Sequence, residues 1–319
     1  MSVESESSAP AVSVCIPMYN NADTIARCLA SIVSQDFDDF ELLIIDDDST
    51  DDSYEIARSL VGENARVIRN EVRLGLVGNH NRCLSLARGR AIQFVHGDDR
   101  LLPHCLSTLA PLFDDATVGL AFAPRIIETE DVSWGERHRR LEQNFRDLRS
   151  TNDGAALVSQ FVRGGARGNW VGEPTCVMVR RSTAVEVGGL DEGLYQLVDM
   201  DLWMRIMQRS TVSWSPDELS IRFHHAASES FVNAVHNKDW LDRYRVLSKV
   251  VVDRSLPLSV RASGFGWWWL VWADLLLASV VRGPDRASRA KLLLGSPRRE
   301  LRRARQQGAR RLAGAPTTV

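Results

Sequence analysis

The sequence predicts an α/β protein built on a mostly parallel β-sheet with helices on both faces. From residue 12 to about residue 121, short apolar β-rich segments alternate with segments whose apolar residues recur every three or four positions. Such alternation indicates βαβ units, whose right-handed crossovers cover both faces of a sheet. Two of the apolar segments run directly into acids, at residues 46–48 and 98–99. Ligands of such sheets bind beyond the carboxyl ends of the strands, so both acidic groups are expected at one edge.

The individual elements follow from local patterns. Pro17 ends the first strand, because proline cannot donate to a ladder. Ser49, Thr50 and Asp51 are suited to cap the helix that follows the second strand, and Pro103 opens another helix. The expected strands are residues 12–16, 40–45, 66–68, 91–95, 118–121 and 175–179. The expected helices carry Ile25, Leu29, Ile32 and Val33 on one face, and then span residues 53–60, 76–87, a stretch from Pro103, and 199–208.

The chain divides into four parts by composition. Residues 1–10 are rich in Ser and Glu and predict a disordered tail. The α/β domain is expected over residues 11–232, a C-terminal helical region over 233–295, and a basic tail over 296–319.

Two segments leave alternatives open. The charged residues 132–150 fit either a solvated helix or a mobile lid. Residues 264–281 are apolar apart from Asp274 and begin with several tryptophans. A packing helix, a helix on a membrane surface and a membrane span all remain open for them, since the length is borderline and a central Asp is costly in lipid.

The charge distribution is uneven. The net charge is −2, yet residues 282–319 hold eleven Lys/Arg against two acids, a net of +9, which leaves −11 for the remainder. Residues 36–55 alone hold ten acids and no base. This split predicts an acidic site centred on a metal and a basic tail that faces something anionic. The five cysteines are scattered without a CxxC pair, and no signal peptide is evident, which indicates reduced thiols in the cytoplasm.

The acids at the strand ends indicate a site for a metal ion and a nucleotide. Two adjacent carboxylates such as Asp98 and Asp99 repel unless a cation neutralises them, and Mg²⁺ and Mn²⁺ favour carboxylates together with substrate phosphates. An exposed turn is the structural alternative. Residues 46–48 exceed what a helix cap needs and offer acceptors for a nucleoside. Asp199 and Asp201 begin a helix, where acids stabilise the N-terminus or act as a general base.

Several enzyme classes lack their motifs here. The chain contains no GxGxxG, no GxxxxGK[ST] and no GxSxG, which weakens dehydrogenase, P-loop and hydrolase interpretations. A nucleotidyltransferase would share the sheet and the metal. It should carry a Gly-rich basic loop near the first strand, and residues 19–22 do not form one.

Taken together, these segments resemble the family-2 glycosyltransferases of the GT-A fold, over about residues 11–230. The matching segments are, in order, residues 12–20, residues 43–51, residues 70–81, residues 87–99, Gly188-Gly189-Leu190-Asp191-Glu192 and Asp199-Met200-Asp201-Leu202-Trp203. The resemblance implies a Rossmann-like GT-A domain with a C-terminal helical extension. It also implies an inverting transfer of a single sugar from a nucleoside-diphosphate sugar, UDP-sugar being favoured.

The resemblance also implies roles for particular residues. The base pocket would be lined by Pro17, Tyr19 and Asp47, with Asn20 and Asn81 also at the nucleotide. Asp98 would hold the ribose or a second-shell water. Asp99 would be the main ligand of Mg²⁺ or Mn²⁺ on the diphosphate, joined by His224 of the late Arg222-Phe223-His224-His225 segment. Asp199 would deprotonate the acceptor hydroxyl. For His224, a strand-end histidine facing solvent is the alternative.

Three departures from the family pattern bear on these expectations. His96 stands where many members have a further acid, and Val198 replaces a Glu that often precedes the catalytic Asp. These two favour an alternative, a non-catalytic protein that binds sugar nucleotides or serves as a scaffold on the same fold. The third is that no QxxRW motif follows, which argues against a processive polysaccharide synthase.

The expected partners are a nucleoside-diphosphate sugar and an acceptor that is a sugar, a lipid-linked molecule or a small molecule. The tryptophan-rich helix and the basic tail predict peripheral contact with the inner face of the cell membrane, with a solvated or oligomer-contacting helix as the alternative. A homodimer remains open. Nucleic acid is disfavoured because no aromatic residues accompany the basic charge.

Overall fold

The computed structural model describes residues 9–62, 65–225, 239–281 and 286–312, together with residues 228, 231 and 233. Its strands are β1 (Val12–Met18), β2 (Phe40–Asp46), β3 (Arg66–Arg69), β4 (Ala91–Phe94), β5 (Arg100–Leu101), β6 (Val118–Phe122), β7 (Arg125–Thr129), β8 (Thr151–Asp153), β9 (Val177–Arg180), β10 (Thr211–Trp214) and β11 (Ser220–His224). Its helices are α1 (Ile25–Val33), α2 (Ser53–Leu60), α3 (Gly75–Leu86), α4 (Cys105–Leu109), α5 (Val132–His138), α6 (Gly154–Arg163), α7 (Arg181–Glu186), α8 (Val198–Met207), α9 (Asp242–Val252), α10 (Leu258–Val281), α11 (Arg286–Leu294) and α12 (Ser296–Leu312).

The predicted mostly parallel sheet is confirmed. In the described residues, eight strands pair in the order β3-β2-β1-β4-β9-β6-β10-β8. The four adjacent strands β3, β2, β1 and β4 are all parallel to one another, and β6 is parallel to β10. The strand β9 runs antiparallel between β4 and β6, and β8 is antiparallel to β10. The parallel half therefore presents the carboxyl ends of β1, β2 and β4 side by side.

A second, smaller sheet lies next to that edge. Within the described part of the chain it contains three strands in the order β5-β11-β7. Strand β5 follows the acidic turn after β4, and β11 pairs with it through Ile221 and Arg100. This pairing brings the end of β11, which carries Arg222 to His225, toward Asp98 and Asp99.

Apolar side chains pack on both faces of the large sheet. Ile16 and Ile44 point to one face and pack with Ile25 and other residues of α1, whereas Cys15, Leu43 and Ile45 belong to the cluster on the other face. This alternation is the period of two expected of strands. Val33, predicted on the apolar face of α1, is instead 70% exposed, because it stands at the helix end beyond the contact with the sheet. All five cysteines are buried free thiols.

The C-terminal helices share the core of the α/β domain. Tyr244 of α9, Trp268 of α10 and Leu293 of α11 belong to the same buried cluster as Phe94 and Phe122 of the sheet. The boundary predicted at residue 233 therefore does not separate two hydrophobic cores.

The predicted basic tail is helical over most of its length. The helix α12 covers Ser296–Leu312, and residues 313–319, like residues 1–8, lie outside the described part. Arg303 of α12 lies 3.7 Å from Asp191, and Glu300 lies 3.6 Å from Arg245 of α9. A charge count does not show that Glu300 and Arg303 have partners in the α/β domain and in α9, so these contacts could not be predicted.

The charged segment 132–150 starts with a short helix. Asp131 caps α5 by accepting a hydrogen bond from the Trp134 amide at 2.9 Å, as expected of an Asp before a helix. A 3₁₀ turn follows at Leu141–Asn144. The side chains of α5 contact β11 through Trp134, described below.

Asp48 occupies an unusual backbone position. Its φ is 60°, in the left-handed region that glycine adopts without cost. We therefore expect Asp48→Gly to stabilise the fold by about 0.5 to 1 kcal/mol. This is the left-handed penalty of about 1 to 2 kcal/mol for a residue with a Cβ, less the backbone entropy that glycine loses on folding. Urea unfolding of both proteins would measure it, and a loss of stability would show that the 3.6 Å contact of Asp48 with Arg69 outweighs the strain.

Candidate active site

The site forms where three parallel strands end. Met18 of β1 pairs with Asp46 of β2, and the amide of Asp47 donates to the Met18 carbonyl at 2.8 Å. Cys15 pairs with Phe94 at the end of β4, two residues before His96. The predicted nucleotide segments and the predicted metal segment therefore share one edge of the sheet.

Asp47 holds the loop that precedes α3. Its carboxylate accepts hydrogen bonds from the amides of Leu74 and Gly75, each at 2.8 Å, and from Asn70 Nδ2 at 2.7 Å. The side chain is buried, and these three donors offset the cost of burying its charge. Binding of a base by Asp47 stays a prediction, and the contacts that the structure adds are those that shape the loop.

The other residues predicted at the base lie beside this loop. The guanidinium of Arg73 stacks on the ring of Tyr19, 3.7 Å from its centroid. Arg73 directly precedes Leu74, whose amide donates to Asp47, so this cation–π pair belongs to the same loop. Asn20 is exposed and has a φ of 50°, and its Oδ1 accepts from the Thr50 amide at 2.9 Å. Pro17 is half-buried in β1 opposite Ile45.

Asn81 contacts the chain near Gly189, and its binding to the nucleotide stays a prediction. Its amide oxygen accepts from the Leu190 amide at 2.8 Å, and its Nδ2 donates to the Leu190 carbonyl at 3.1 Å. Its amide group thereby fixes the turn at Gly188-Gly189, where both glycines have positive φ. The role of Asn81 in the structure is to join α3 to that turn.

A histidine and two carboxylates form the centre of the edge. His96, Asp98 and Asp99 each offer a ligand atom, and these atoms all lie within 4.8 Å of one another. Among the described residues, this is the group of His, Cys, Asp and Glu close enough to hold a metal ion. His96, which departs from the family pattern, therefore belongs to the group.

The two carboxylates of this centre differ in access. Asp99 is 2% exposed, and its oxygens accept from Thr175 Oγ1 at 2.6 Å and from the Phe223 amide at 2.9 Å. The side chain of Asp98 is 21% exposed and contacts His225 Nε2 at 3.1 Å. The accessible carboxylate is therefore Asp98, whereas Asp99 joins the turn after β4 to the turn before β9 and to β11.

Charges within the group shift one another's pKa values. Burial opposes protonation of His96, but its contact with Asp99 and the charges of Asp98 and Asp199 outweigh burial and raise its pKa to about 9. Burial, with the charge of Asp98, raises the pKa of Asp99. A positive charge is thus stabilised at this position, which is what a cation site between acids requires.

Asp199 lies on the first turn of α8, close enough to this group to interact with it electrostatically. Burial, together with the negative charge of Glu173, raises its pKa to about 6, while the positive charges of His96 and Arg222 act in the opposite direction. Asp201, two residues on, is already paired with Arg205 at 2.8 Å and Lys249 at 2.6 Å. Of the two acids that begin this helix, Asp199 is therefore the candidate base.

His224, predicted as a metal ligand, lies in an aromatic stack outside the acidic group. Its ring stacks on Trp134 of α5 with centroids 3.7 Å apart. The histidine ring that contacts the carboxylates is that of the next residue, His225. A metal-binding role of His224 stays a prediction, and the histidine that contacts Asp98 is His225, just past the end of β11.

Sequence reasoning missed a buried ion triad behind the site. Glu173 accepts from Arg125 Nε at 2.8 Å and from Arg222 Nη1 at 3.1 Å. Burial opposes ionisation of Glu173, but the two guanidinium groups outweigh it and lower its pKa to about 2. Nothing local marks Glu173, since its partners lie 48 and 49 residues away in sequence.

With this geometry in place, comparison with known proteins decides the family. The family model described as "Glycosyl transferase family 2" matches residues 13–170. A Mycobacterium tuberculosis relative, the uncharacterized protein MT1568, is 49% identical over 93% of both chains. The chain belongs to glycosyl transferase family 2. It is a glycosyltransferase, and the non-catalytic alternative suggested by His96 and Val198 is not supported.

Other family-2 members show narrower similarity. A Campylobacter jejuni GalNAc(5)-diNAcBac-PP-undecaprenol beta-1,3-glucosyltransferase is 34% identical over 31% of this chain and 33% of its own length. The chain thus matches about a third of that protein.

Solved structures confirm the GT-A fold. Residues 1–349 of S. aureus TarS, in complex with UDP-GlcNAc, superpose with a TM-score of 0.64 at 17% identity, covering 95% of this chain and 89% of that one. The Pyrobaculum calidifontis mannosyltransferase PcManGT, in complex with GDP-Man and Mn²⁺, has a TM-score of 0.56 at 16% identity, covering 97% and 86%.

Proposed function

We propose that this family-2 enzyme is a metal-dependent, inverting glycosyltransferase that moves a single sugar from a UDP-sugar to a hydroxyl of a lipid-linked saccharide. The observation that carries the proposal is the position of Asp199, a carboxylate with a raised pKa beside the His96–Asp98–Asp99 group. A base and a candidate cation site in one place are what transfer from a diphosphate leaving group needs.

Mn²⁺ fits the donor set better than Mg²⁺ does. Imidazole nitrogen suits transition metals, whereas carboxylates suit both ions. His96 in its neutral form and Asp98 would hold the ion, so that the ion replaces the proton that His96 otherwise carries. His225 lies next to Asp98, and Asp99 orients His96 from 3.5 Å. The predicted roles of Asp98 and Asp99 are thereby exchanged, because Asp98 is the carboxylate with access to solvent. When bound, the ion neutralises the charge that develops on the leaving diphosphate.

Asp199 performs the proton transfer in this proposal. Its carboxylate accepts the proton of the acceptor hydroxyl, and the resulting oxygen attacks the sugar carbon as the bond to the diphosphate breaks. A single displacement of this kind inverts the anomeric configuration. The neighbouring acids are each held by a polar or charged partner, as in Asp98, Asp99 and Glu173. This favours a direct displacement with Asp199 as the base over a mechanism in which one of these acids attacks the sugar covalently.

The donor and acceptor classes rest on relatives. TarS binds UDP-GlcNAc, which supports a UDP-sugar donor here. The Campylobacter jejuni relative acts on an undecaprenol-linked saccharide by its name, which supports a lipid-linked acceptor. Release of nucleoside diphosphate from a panel of UDP-, GDP- and dTDP-sugars, with Mn²⁺ or with a chelator, tests the proposal. We expect release from a UDP-sugar that depends on Mn²⁺, and release that persists in chelator would contradict it.

The exchange of roles between the two acids gives a separate prediction. Asp98→Asn should weaken Mn²⁺ binding about 10- to 100-fold, the scale seen when metal-site contacts are removed. Paramagnetic resonance of free Mn²⁺ during a titration would measure this. Asp114→Asn, which alters an exposed acid paired with Arg90, is the matched control. Equal Mn²⁺ affinity of Asp98→Asn and the wild type would remove Asp98 from the metal site.

A further inference from the structure

The long helix α10 is attached to the core along one face. Trp268 stacks on Tyr244 of α9 with centroids 5.1 Å apart, and its Nε1 donates to Ser248 Oγ at 2.8 Å. Gly264 packs so closely that a Cβ there would lie 2.6 Å from Val250 Cγ1. Further along, Trp272 donates to the carbonyl of Leu293 in α11. A helix held by these contacts cannot be surrounded by lipid as an isolated span is.

The opposite face of α10 is exposed and, apart from Asp274 between Leu270 and Leu277, apolar. Leu270 is 61% exposed and Leu277 is 64% exposed, and Trp269, Val280 and Val281 are exposed beside them. At 100° per residue these positions fall within about a third of the helix circumference, so they line one face. The helix is long and apolar enough to cross a membrane by length and composition, yet only 22% of its apolar window is buried. Soluble monomers rarely expose a large contiguous apolar surface without a partner for it.

Basic side chains are exposed on the two helices that follow α10. The helix α11 packs on α10 and exposes Leu292 and Leu294 next to the exposed Lys291. In α12, Arg298, Arg299, Arg302 and Arg305 are exposed as well. These residues belong to the segment 282–319, with eleven Lys/Arg and two acids. An apolar strip and a dense positive charge therefore occur together on three consecutive helices.

We propose that the exposed face of α10, with the basic residues of α11 and α12, is a surface that docks on an anionic lipid bilayer. The helix would lie in the plane of the interface, with Trp269, Leu270 and Leu277 at the boundary of the acyl chains, the depth that tryptophan favours. The basic side chains face anionic headgroups, which attract Lys and Arg near the surface.

Charge decides between the bilayer and a second copy of the chain. A twofold interface places the same patch on both partners. Two copies meeting here would bring Lys291 and the arginines of α12 toward their own counterparts, and like charges that face one another disfavour association. An anionic surface complements both features of the patch at once.

The docking surface is also connected to the helix that carries Asp199. In α12, Gln307 Nε2 donates to Asp191 Oδ2 at 3.0 Å, and Arg303 contacts the same carboxylate. Asp191 follows the Gly188-Gly189 turn, and Lys249 joins it to Asp201 of α8. The helices that meet the bilayer therefore contact the elements that hold Asp199. Any effect of this connection on turnover rests on the proposed function. Bilayer binding itself does not require catalysis, so the two proposals can fail separately.

Vesicle flotation of the full-length protein tests the proposal. The vesicles contain either phosphatidylglycerol with phosphatidylcholine or phosphatidylcholine alone. We expect binding to the anionic vesicles that falls with added salt. The double variant Leu270→Asn/Leu277→Asn should bind about tenfold or more weakly, because it removes two apolar side chains from the bilayer. The control Val33→Asn/Leu60→Asn changes two exposed apolar residues of α1 and α2 and should bind as the wild type does.

A charge-reversal variant and a measurement of oligomeric state distinguish bilayer binding from self-association. Lys291→Glu/Arg302→Glu changes exposed charges without touching the core, and it should also lose binding to anionic vesicles. Light scattering without vesicles reports the oligomeric state. The proposal is overturned if the wild type does not float with anionic vesicles or if both double variants float as the wild type does. It is equally overturned if Leu270→Asn/Leu277→Asn dissociates a dimer while vesicle binding stays unchanged.

Discussion

Asp199→Asn is expected to lower turnover about 10²- to 10⁴-fold, the contribution of a positioned general base. The substitution keeps the shape of the side chain and removes its ability to accept the acceptor's proton. Release of UDP from the UDP-sugar that the wild type uses would measure it, with water as the acceptor where no other is supplied. Donor affinity should change little, because Asp199 acts on the acceptor.

The pH profile separates a base from a structural carboxylate. Burial raises the pKa of Asp199 to about 6, so the basic form is lost as the pH falls through 6. The wild-type rate should therefore decrease below about pH 6, and Asp199→Asn should lack that dependence. The exposed neighbour variant Glu192→Gln serves as the control and should retain both rate and profile. Turnover of Asp199→Asn equal to that of the wild type would exclude Asp199 as the base.

Glu173→Gln is expected to destabilise the fold by about 3 to 5 kcal/mol, the cost of breaking a buried ion pair from one side. The neutral amide leaves the guanidinium of Arg125, which is 2% exposed, without its charge partner. Urea unfolding would measure the loss. Glu186→Gln, which alters an exposed acid 3.6 Å from Arg209, is the control and should change stability by less than about 1 kcal/mol.

The dependence of folding stability on acid pH should differ between the wild type and Glu173→Gln. The arginines lower the pKa of Glu173 from 4.5 to about 2, so its stabilising contribution is complete above pH 4.5 and is lost as the pH falls toward 2. The wild type should lose stability through that range, and Glu173→Gln should lose less of it. A variant as stable as the wild type at neutral pH would mean that the triad contributes no net stability.

Much of the parallel half of the fold could be predicted, because its signals are local. The strands β1 to β4 and the helices between them follow from apolar periodicity, proline and capping residues. The shared edge of Asp47 and Asp98 followed from parallel connectivity alone. The reversed strand β9 between β4 and β6 could not be predicted, since its partners are set by contacts distant in the chain.

The contacts of several site residues depend on one-residue differences in side-chain direction, which the sequence does not reveal. Which of His224 and His225 reaches Asp98 depends on where β11 ends, because neighbouring side chains leave a strand in opposite directions. Which of Asp98 and Asp99 stays accessible depends on Thr175 and the Phe223 amide, both distant in sequence. Asn81 was assigned by position in a motif, and its contact with Leu190 appears only in three dimensions.

The most direct test is a calorimetric titration of UDP into the protein, first with Mn²⁺ and then with a chelator. It shows whether this edge of the sheet binds a diphosphate through a cation. We expect UDP to bind in the presence of Mn²⁺ and to bind at least about tenfold more weakly after chelation, since a bound cation supplies much of the attraction for phosphate oxygens. An affinity for UDP that is the same with and without the ion would contradict the account.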